Sequence, residues 1–365
     1  MVAFKTFIGI ITLVFLSIMC DNGRNNIVVD PEWKTQSSTP IIVYSVIFEW
    51  GASIYMIENG INRSLFNSDT IYRTMPSLDP SSGRLVYLKN AALFPLAGFS
   101  GWPSVSVGDV TSENEKTVLK SDSGIYYLSP EWDGNSNIVV YRQMNSTLEL
   151  LVVKEDGQIK QQKTLGKSSV TGYPAIYAIP GKKGFVLLWW EDTTAIFEAS
   201  TGTFHGKAAG GAIRSQPFVC MDSLFIQCSY GKPKYRVYSL STLMPTDRYF
   251  NVSIAFPSTG SIVRIDSAQI AWMNESHRII YDKSGEKMMV YLCDDDWNAL
   301  DAQQGANIEW FLPFSKEKEI YCVVEGGDQY GVLKYKLDPA GLEGGYEIMT
   351  DFEPDYFILD ARIYP

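Results

Sequence analysis

The chain has 365 residues, which is long for one ordinary compact domain and short for three. Its 31 Lys and Arg against 41 Asp and Glu give a formal net charge of −10, and it has only 2 histidines. Phosphate binding needs clustered Lys and Arg, and the sequence has no such cluster, so a nucleic-acid partner is not expected. A hydrophobic content of 45%, with 13% aromatic residues, excludes a disordered chain and provides for a large core.

Residues 1–19 are predicted to form an export signal. Lys5 supplies a positive charge ahead of an unbroken apolar run over residues 7–19. This run is shorter than the roughly 20 residues that a membrane-spanning helix needs, and it lies within the range of a signal-peptide core. We therefore expect the mature chain to lie outside the cytoplasm.

Cys20 ends the apolar run and is followed by a polar stretch. This pattern resembles a bacterial lipoprotein signal, in which the cysteine is lipidated and becomes the mature N-terminus. The resemblance implies a lipid on Cys20, a flexible tether over 20–39 and a membrane-anchored location in the periplasm or on the cell surface. Ser17 and Met19 stand where the usual motif has leucine and a small residue. An ordinary secretory signal cut near Cys20 and an uncleaved anchor are the alternatives.

The other cysteines are Cys220, Cys228, Cys293 and Cys322. An even number in an oxidising compartment is compatible with disulfides, and none has the CxxC spacing of a metal or redox site. Four cysteines allow three pairings, and buried free thiols fit the sequence equally well.

From residue 40 onward, short runs rich in Val, Ile, Tyr, Phe and Trp alternate with turn residues, which predicts an all-β chain. The runs belong to a repeated unit, seen most clearly over 76–87 (PSLDPSSGRLVY) and 128–141 (LSPEWDGNSNIVVY). Successive copies of its apolar strand are marked by Tyr44, Tyr87, Tyr141, Trp189, Cys228, Trp272 and Cys322. These landmarks are 43, 54, 48, 39, 44 and 50 residues apart. Such periods, with four strands in each, are typical of a β-propeller.

The turn and apolar strand of 76–87 resemble the repeat of TolB-type, WD-like propellers. The resemblance implies the fold alone, because propellers of this kind serve as adaptors, binding proteins and accessory domains of enzymes. We expect one domain over 40–365 with seven four-stranded blades, six or eight being the alternatives. The last run, 355–364, is predicted to supply the strand that the first unit lacks and so to close the ring.

No catalytic signature is present, since the sequence lacks HExxH, P-loop, GxSxG and dinucleotide-binding motifs. His205 and His277 are interpreted as exposed loop histidines. The acidic run 294–296 lacks the alternation that aims carboxylates at one Ca²⁺, so it is interpreted as a solvated loop. We predict no catalytic residue, no cofactor and no metal site.

The loops that follow the apolar strands are expected to share one face of the propeller. The loop in the second unit is the longest, and loops of this size are usually functional. The predicted ligand-binding residues on this face are Trp50, Phe99, Trp102, Arg142, Trp190 and Glu191, which offer stacking surfaces and charges to a sugar, a peptide or a protein. Packing of the tryptophans between blades is the alternative.

The sequence therefore predicts a membrane-tethered binding or interaction module whose partner is an envelope protein, a peptide or a glycan. The alternative is an enzyme at the mouth of the central channel, for example a glycan-cleaving hydrolase or lyase. That reading needs two carboxylates that converge around a pocket. The loop candidates are Glu49, Glu191, Asp192, Glu275 and Asp328.

Overall fold

A computed structural model describes residues 40–48, 51–66, 71–90, 103–112, 114–167, 174–209, 216–220, 222–227, 235–246, 253–256, 261–264, 269–273, 277–282, 289–304, 308–312, 319–324, 331–336, 346–350 and 357–364. The predicted signal at 1–19 and the predicted tether at 20–39 lie outside these residues. Within them, no helix is long and apolar enough to cross a membrane.

The described residues form eight sheets, numbered here in chain order. Sheet 1 contains β1 (Ile41–Phe48), β2 (Gly51–Glu58), β3 (Ile61–Leu65) and the last strand, β29 (Phe357–Tyr364). Sheet 2 contains β4 (Arg73–Asp79), β5 (Arg84–Lys89), β6 (Ser104–Asp109) and β7 (Glu115–Leu119). Sheet 3 contains β8 (Ile125–Trp132), β9 (Asn137–Met144), β10 (Thr147–Lys154) and β11 (Ile159–Lys167). Sheet 4 contains β12 (Ala175–Ala178), β13 (Phe185–Trp190), β14 (Thr193–Glu198) and β15 (Thr203–Ala209).

The second half of the chain is less regular. Sheet 5 has only β16 (Phe218–Cys220), β17 (Ser223–Gln227) and β18 (Tyr235–Ser239), and sheet 6 is the hairpin β19 (Ser253–Phe256) and β20 (Ser261–Arg264). Sheet 7 contains β21 (Gln269–Met273), β22 (His277–Asp282), β23 (Met289–Asp294) and β24 (Ala299–Gln304). Sheet 8 contains β25 (Ile308–Leu312), β26 (Glu319–Val324), β27 (Gly331–Lys336) and β28 (Tyr346–Ile348). All the strand pairs are antiparallel, as in a propeller blade.

The all-β propeller class agrees with the sequence analysis, but the expected seven blades of four strands, with six or eight as alternatives, are wrong. In the described residues, sheets 2, 3, 4, 7 and 8 each have four consecutive strands, sheet 1 has three consecutive strands and β29, and sheets 5 and 6 have three and two strands. The landmark residues gave the wrong number of blades because they mark apolar runs and carry no information on which strands are hydrogen-bonded to each other. Trp272, for example, lies on the first strand of sheet 7, whereas Tyr44, Tyr87 and Tyr141 lie on the second strand of their sheets.

The last strand joins the first sheet. β29 runs antiparallel to β1, with partners from Ile41 and Tyr364 at one end to Ile47 and Phe357 at the other. Closure of a complete ring by this strand stays a prediction, because many of the connections around the chain lie outside the described residues.

The first strands of sheets 1 to 4 contact one another in series, β29 against β4, β4 against β8, and β8 against β12. They therefore form the inner wall of this part of the propeller. The second and third strands are buried on both faces because each sheet packs against its neighbours, and they contain continuous apolar runs such as residues 138–141 of β9. The outer strand β11 is mostly exposed and rich in Lys and Gln, as suits an unpaired edge.

Three tyrosines at matching places in the repeat have the same environment, a buried ring with a hydrogen-bonded hydroxyl. Tyr44, Tyr87 and Tyr141 are fully buried between sheets. Tyr44 donates a hydrogen bond of 2.7 Å to the Asn62 Oδ1, and Tyr141 one of 3.1 Å to a backbone carbonyl of the next sheet. Each ring adds apolar contact, and each hydroxyl finds an acceptor, as buried tyrosines require.

The antiparallel order places the connections of sheets 1 to 4 on two opposite faces. We call the end where first strands turn into second strands the first-turn face; it includes residues 80–83, 133–136 and 179–184. The other end, where second strands turn into third strands, is the second-turn face; it includes 145–146 and 191–192. Residues 49–50 and 91–102, which stand in the chain between the second and third strands of sheets 1 and 2, lie outside the described residues.

Candidate functional site

Trp190, one of the predicted ligand contacts, ends β13 and is only 6% exposed. Its ring centroid lies 5.8 Å from that of Phe204, and the Lys207 ammonium lies 6.0 Å from the Trp190 centroid. The side chain is part of the core between sheets 3 and 4. This placement uses the indole for packing, and a ligand role for it stays a prediction.

Arg142 lies on β9 and is held by a network that crosses sheet 3. Its Nε donates to Glu149 Oε2 at 2.8 Å, and Gln162 Nε2 donates to the other Glu149 oxygen at 2.7 Å. The Arg142 and Glu149 side chains are 15% and 7% exposed. The guanidinium is therefore fixed near the second-turn face, with its charge already compensated within the sheet.

Glu191 is exposed and begins the two-residue turn between β13 and β14. Glu191 and its neighbour Asp192 have φ values of 43° and 61°. Two consecutive positive φ angles are typical of a type I′ hairpin turn, which normally uses Asn and Gly. The turn between β9 and β10 has the same form, with φ of 48° at Asn145 and 66° at Ser146.

The remaining sequence-predicted residues lie outside the described part of the chain: Cys20, Trp50, Phe99, Trp102, Glu49, Glu275 and Asp328. Of the cysteines, Cys293 has a described side chain, and it is a fully buried free thiol. Burial, together with the negative charge of Asp294, raises the pKa of this thiol to about 12. Such a thiol is inert at neutral pH.

The two histidines are on strands, so the loop interpretation is wrong for both. His205 lies on β15, with Nε2 3.5 Å from Glu198, and His277 begins β22. Asp294 caps its own turn, where its Oδ1 accepts hydrogen bonds from the backbone amides of Asp296 and Asn298 at 3.0 and 2.8 Å. No three His, Cys, Asp or Glu side chains in the described ranges are placed to hold a metal ion together.

The structure brings together a buried polar cluster that the sequence analysis missed. Its members lie on the first strands of sheets 1 to 4, toward the first-turn face: Ser77 on β4, Glu131 on β8, Tyr177 on β12, and Asp360, Arg362 and Tyr364 on β29. We call this set the inner cluster. Glu131 and Arg362 are 2% and 5% exposed, so both charged groups are almost completely removed from water.

Two matching proline-containing bulges aim side chains into the inner cluster. The pairing of β4 with β5 shifts register between Thr74 and Ser77, around Pro76, and the pairing of β8 with β9 shifts between Leu128 and Glu131. An extra residue at a bulge redirects the next side chain. Ser77 and Glu131 thus meet as equivalent positions of two repeat copies, and the hydroxyl donates to Glu131 Oε1 at 2.6 Å.

The cation of the inner cluster comes from β29. Arg362 Nη1 lies 3.8 Å from Glu131 Oε2, and its Nε lies 3.4 Å from Asp360 Oδ2. The guanidinium carbon lies 4.0 Å from the ring centroid of Tyr177, a cation–π distance. Tyr364 accepts a hydrogen bond of 2.8 Å from the backbone amide of Leu78 on β4. One strand end thereby contacts three neighbouring inner strands.

Gln216, just before β16, adds a clamp to the same strand end. Its Nε2 donates to the Ile363 carbonyl at 3.0 Å, and its Oε1 accepts from the Ile363 amide at 2.9 Å. The carboxamide therefore satisfies both backbone groups of one residue at the free edge of β29, as a paired strand would.

Burial dominates the electrostatics of the inner cluster. It raises the pKa of Glu131 from 4.5 to about 7, although Arg362 and the Ser77 hydroxyl favour the carboxylate. Burial also raises the pKa of Asp360, against the effect of Arg362. Burial alone disfavours the charged guanidinium, but the two carboxylates outweigh it, and the pKa of Arg362 is raised. Two acids therefore share one permanent cation.

The inner cluster borders a small cleft, lined by Glu131, Tyr177, Pro180, Gln216, Arg362 and Tyr364, with a volume of about 20 Å³. Roughly 10–15 Å³ suffices for one water molecule. The cleft is therefore suited to water and far below the 300–1,000 Å³ or so of an organic ligand site. A proton can be held there, but a sugar or peptide substrate does not fit.

The repeated motif that contains Ser77 and Glu131 was visible in the sequence, but it was used only to predict the fold. Glu131 occupies, in the copy at 128–141, the place that Ser77 has in the copy at 76–87, one residue after the proline. A charged residue at a position that points inward was the available sign. Its partner Arg362 lies in no recognisable repeat, because β29 comes from the other end of the chain.

No protein-family model matches the sequence, and no curated protein matches it. Solved structures do resemble the fold. A structure from a study of two prolyl endopeptidases is 11% identical, with a TM-score of 0.52, covering 96% of this chain and 55% of that one. Prolyl oligopeptidase B from Galerina marginata is also 11% identical, with a TM-score of 0.51, covering 93% and 55%.

TolB from Acinetobacter baumannii is 9% identical, with a TM-score of 0.41, covering 70% of this chain and 61% of that one. This chain spans about half the length of the two peptidases. At such identities a likeness shows the fold and carries no activity across. The chain is an all-β protein with the β-propeller fold.

Proposed function

We propose that this protein is an extracytoplasmic binding module, tethered to a membrane through a lipid on Cys20, whose second-turn face recognises an envelope protein, a peptide or a glycan. The observation that carries the proposal is the alignment of connections on that face. The turns 145–146 and 191–192 emerge there from neighbouring, tightly packed sheets.

The two described turns are rigid display sites. Asn145, Ser146, Glu191 and Asp192 all have positive φ, which fixes a hairpin turn with little freedom. A glutamate at positive φ costs backbone energy, and residues with such strain are concentrated at functional surfaces. Exposed polar groups on rigid hairpins lose little conformational entropy when a partner binds, which favours recognition.

The geometry of the first-turn face also favours the second-turn face as the binding surface. There the inner cluster borders a cleft of about 20 Å³, so the geometry favours packing over substrate entry. Trp50 and Trp102 stand in the chain between second and third strands of their sheets, so we expect both on the second-turn face. The Pro-x-x-Asp-Pro-x-x-Gly turn of 76–83 supports a TolB-type repeat as the evolutionary source of the scaffold.

The test is a pair of binding experiments with the soluble chain that starts after Cys20. The bait is compared with Trp50→Ala/Trp102→Ala, leaving Trp190 intact because it packs between sheets. Ile61→Ser is the matched control, since Ile61 is 68% exposed next to the first-turn face. All three are checked by circular dichroism and used with solubilised envelope and with glycan arrays.

A ligand retained by the wild type and the Ile61→Ser control but lost by the double tryptophan variant supports the proposal. Equal retention by all three baits, or none by any of them, contradicts it. Separately, Cys20→Ser is expected to release the full-length protein from the membrane fraction, and an unchanged membrane fraction contradicts the lipid anchor.

A further inference from the structure

The inner cluster is the strongest feature that the proposed binding role leaves unexplained. Glu131 Oε2, Arg362 Nε and Asp360 Oδ2 are buried, and none of them makes a hydrogen bond of good geometry among the described residues; they meet only in ion pairs of 3.4 and 3.8 Å. Buried charges that are compensated only by long ion pairs are costly, so the inner cluster is a place where a change in charge can alter the packing.

The groups that face Glu131 come from every strand packed against it. β4 presents the Ser77 hydroxyl at 2.6 Å, and β29 presents Arg362 at 3.8 Å, with Asp360 and Tyr364 nearby. β12 presents Tyr177, whose ring covers the guanidinium, and the backbone of Ala178, whose hydrogen bond favours the Glu131 carboxylate. The Arg362 contact is too long for a hydrogen bond, so the one opposite charge compensates Glu131 only in part.

We propose that Glu131 is a proton-controlled switch for the docking of β29: protonated Glu131 keeps the last strand seated on β4, β8 and β12, and deprotonation favours its release. A neutral carboxylic acid suits the desolvated site and retains its hydrogen bond with Ser77, which can then run in either direction. An ionised carboxylate in the same place loses its hydration, which Arg362, Ser77 and the backbone of Ala178 replace only in part, and it is stabilised when the cleft opens to water.

The direction of the pH effect on docking follows from the linkage between proton binding by Glu131 and docking of β29. Burial raises the pKa of Glu131 to about 7 in the docked state, against 4.5 when it is hydrated. A group with a raised pKa stabilises the docked state at low pH and loses that contribution as pH rises through the docked value. Between pH 6 and pH 8.5 the equilibrium constant for release is expected to rise about tenfold. Tyr177, with a pKa of about 12, stays protonated over this range.

The experiment is hydrogen exchange with mass spectrometry on the full chain at pH 6 and pH 8.5, corrected for the intrinsic effect of pH on exchange. The amides of β29, Phe357–Tyr364, report docking. The amides of β11, an exposed outer strand away from the inner cluster, serve as the internal reference. Wild type is expected to lose about tenfold protection in β29 and none in β11.

Two variants make the result specific. Glu131→Gln cannot titrate, so protection in β29 is expected to be equal at both pH values. Ser77→Ala removes a hydrogen bond that favours the carboxylate, so it is expected to move the midpoint of the transition to higher pH. Ser77→Ala also keeps the proposal testable if Glu131→Gln fails to fold.

Unchanged protection of β29 in the wild type overturns the proposal. A loss in Glu131→Gln equal to that of the wild type, or a midpoint in Ser77→Ala at lower pH, overturns it as well. The readout does not depend on any ligand, so failure here leaves the binding role proposed for the second-turn face unaffected.

Discussion

Replacing Trp190 with alanine tests whether this side chain packs between sheets. The indole is 6% exposed and contacts Phe204 in the core of sheets 3 and 4. A buried tryptophan removes roughly 150–250 Å² from water, worth roughly 4–6 kcal/mol at 25 cal/mol/Å². Measured losses for such truncations are about 3–5 kcal/mol, so we expect the free energy of unfolding to fall by about 4 kcal/mol.

The assay is urea unfolding followed by far-UV circular dichroism, because the mutation itself alters the fluorescence signal. Glu191→Gln is the matched control: it changes the adjacent exposed residue, and we expect its effect to stay within about 0.5 kcal/mol. A loss below about 1 kcal/mol for Trp190→Ala would refute the packing argument and return the indole to the list of ligand contacts.

Three further predictions concern charge, backbone strain and thiol reactivity. Arg73 and Lys89 contact Glu115 and, against the effect of burial, hold its pKa at about 2. This lowered pKa stabilises the fold above pH 4.5, and the stabilisation is lost as pH falls towards 2. Discounted for solvent screening at this partly exposed site, the acid-dependent loss of stability is expected to be about 1 kcal/mol larger in the wild type than in Glu115→Gln. Glu191→Gly is expected to raise the free energy of unfolding by about 0.5–1 kcal/mol in the same urea assay, because φ is 43° there, and a decrease contradicts the turn geometry. Cys293 is expected to resist iodoacetamide at pH 8 in the folded protein and to react in urea, as peptide mass spectrometry would show; rapid labelling of the native thiol contradicts its burial.

The strand class and the repeat were readable from sequence because burial on both faces leaves continuous apolar runs. Tyr44, Tyr87 and Tyr141 recur with the repeat since each fills the same gap between sheets. The uniform blade count failed in sheets 5 and 6, where runs of three or four residues mark a strand without saying which edges it pairs with. Pairing depends on neighbours that are distant in sequence, and a landmark carries no information about them.

The candidate site was harder to predict from the sequence than the fold. Trp190 and Arg142 have the residue types of a ligand contact, but their contacts with Phe204 and Glu149 depend on how strands align. Whether an aromatic or a charged side chain is exposed follows from register and twist rather than from its identity. The inner cluster was missed because Arg362 reaches it from a strand that is distant in sequence from β4 and β8.

The pairing of β29 with β1 has a consequence for the biogenesis of the protein. β1 (Ile41–Phe48) is an apolar segment without a charge, and its partner begins about 300 residues later. At roughly 5–20 residues per second, a ribosome needs roughly 15–60 s to supply that partner. During this interval one edge of β1 offers unpaired backbone groups beside Ile, Val, Tyr and Phe, which is the composition of an aggregation-prone strand. We expect this segment to need protection by a holding factor until the last residues of the chain arrive.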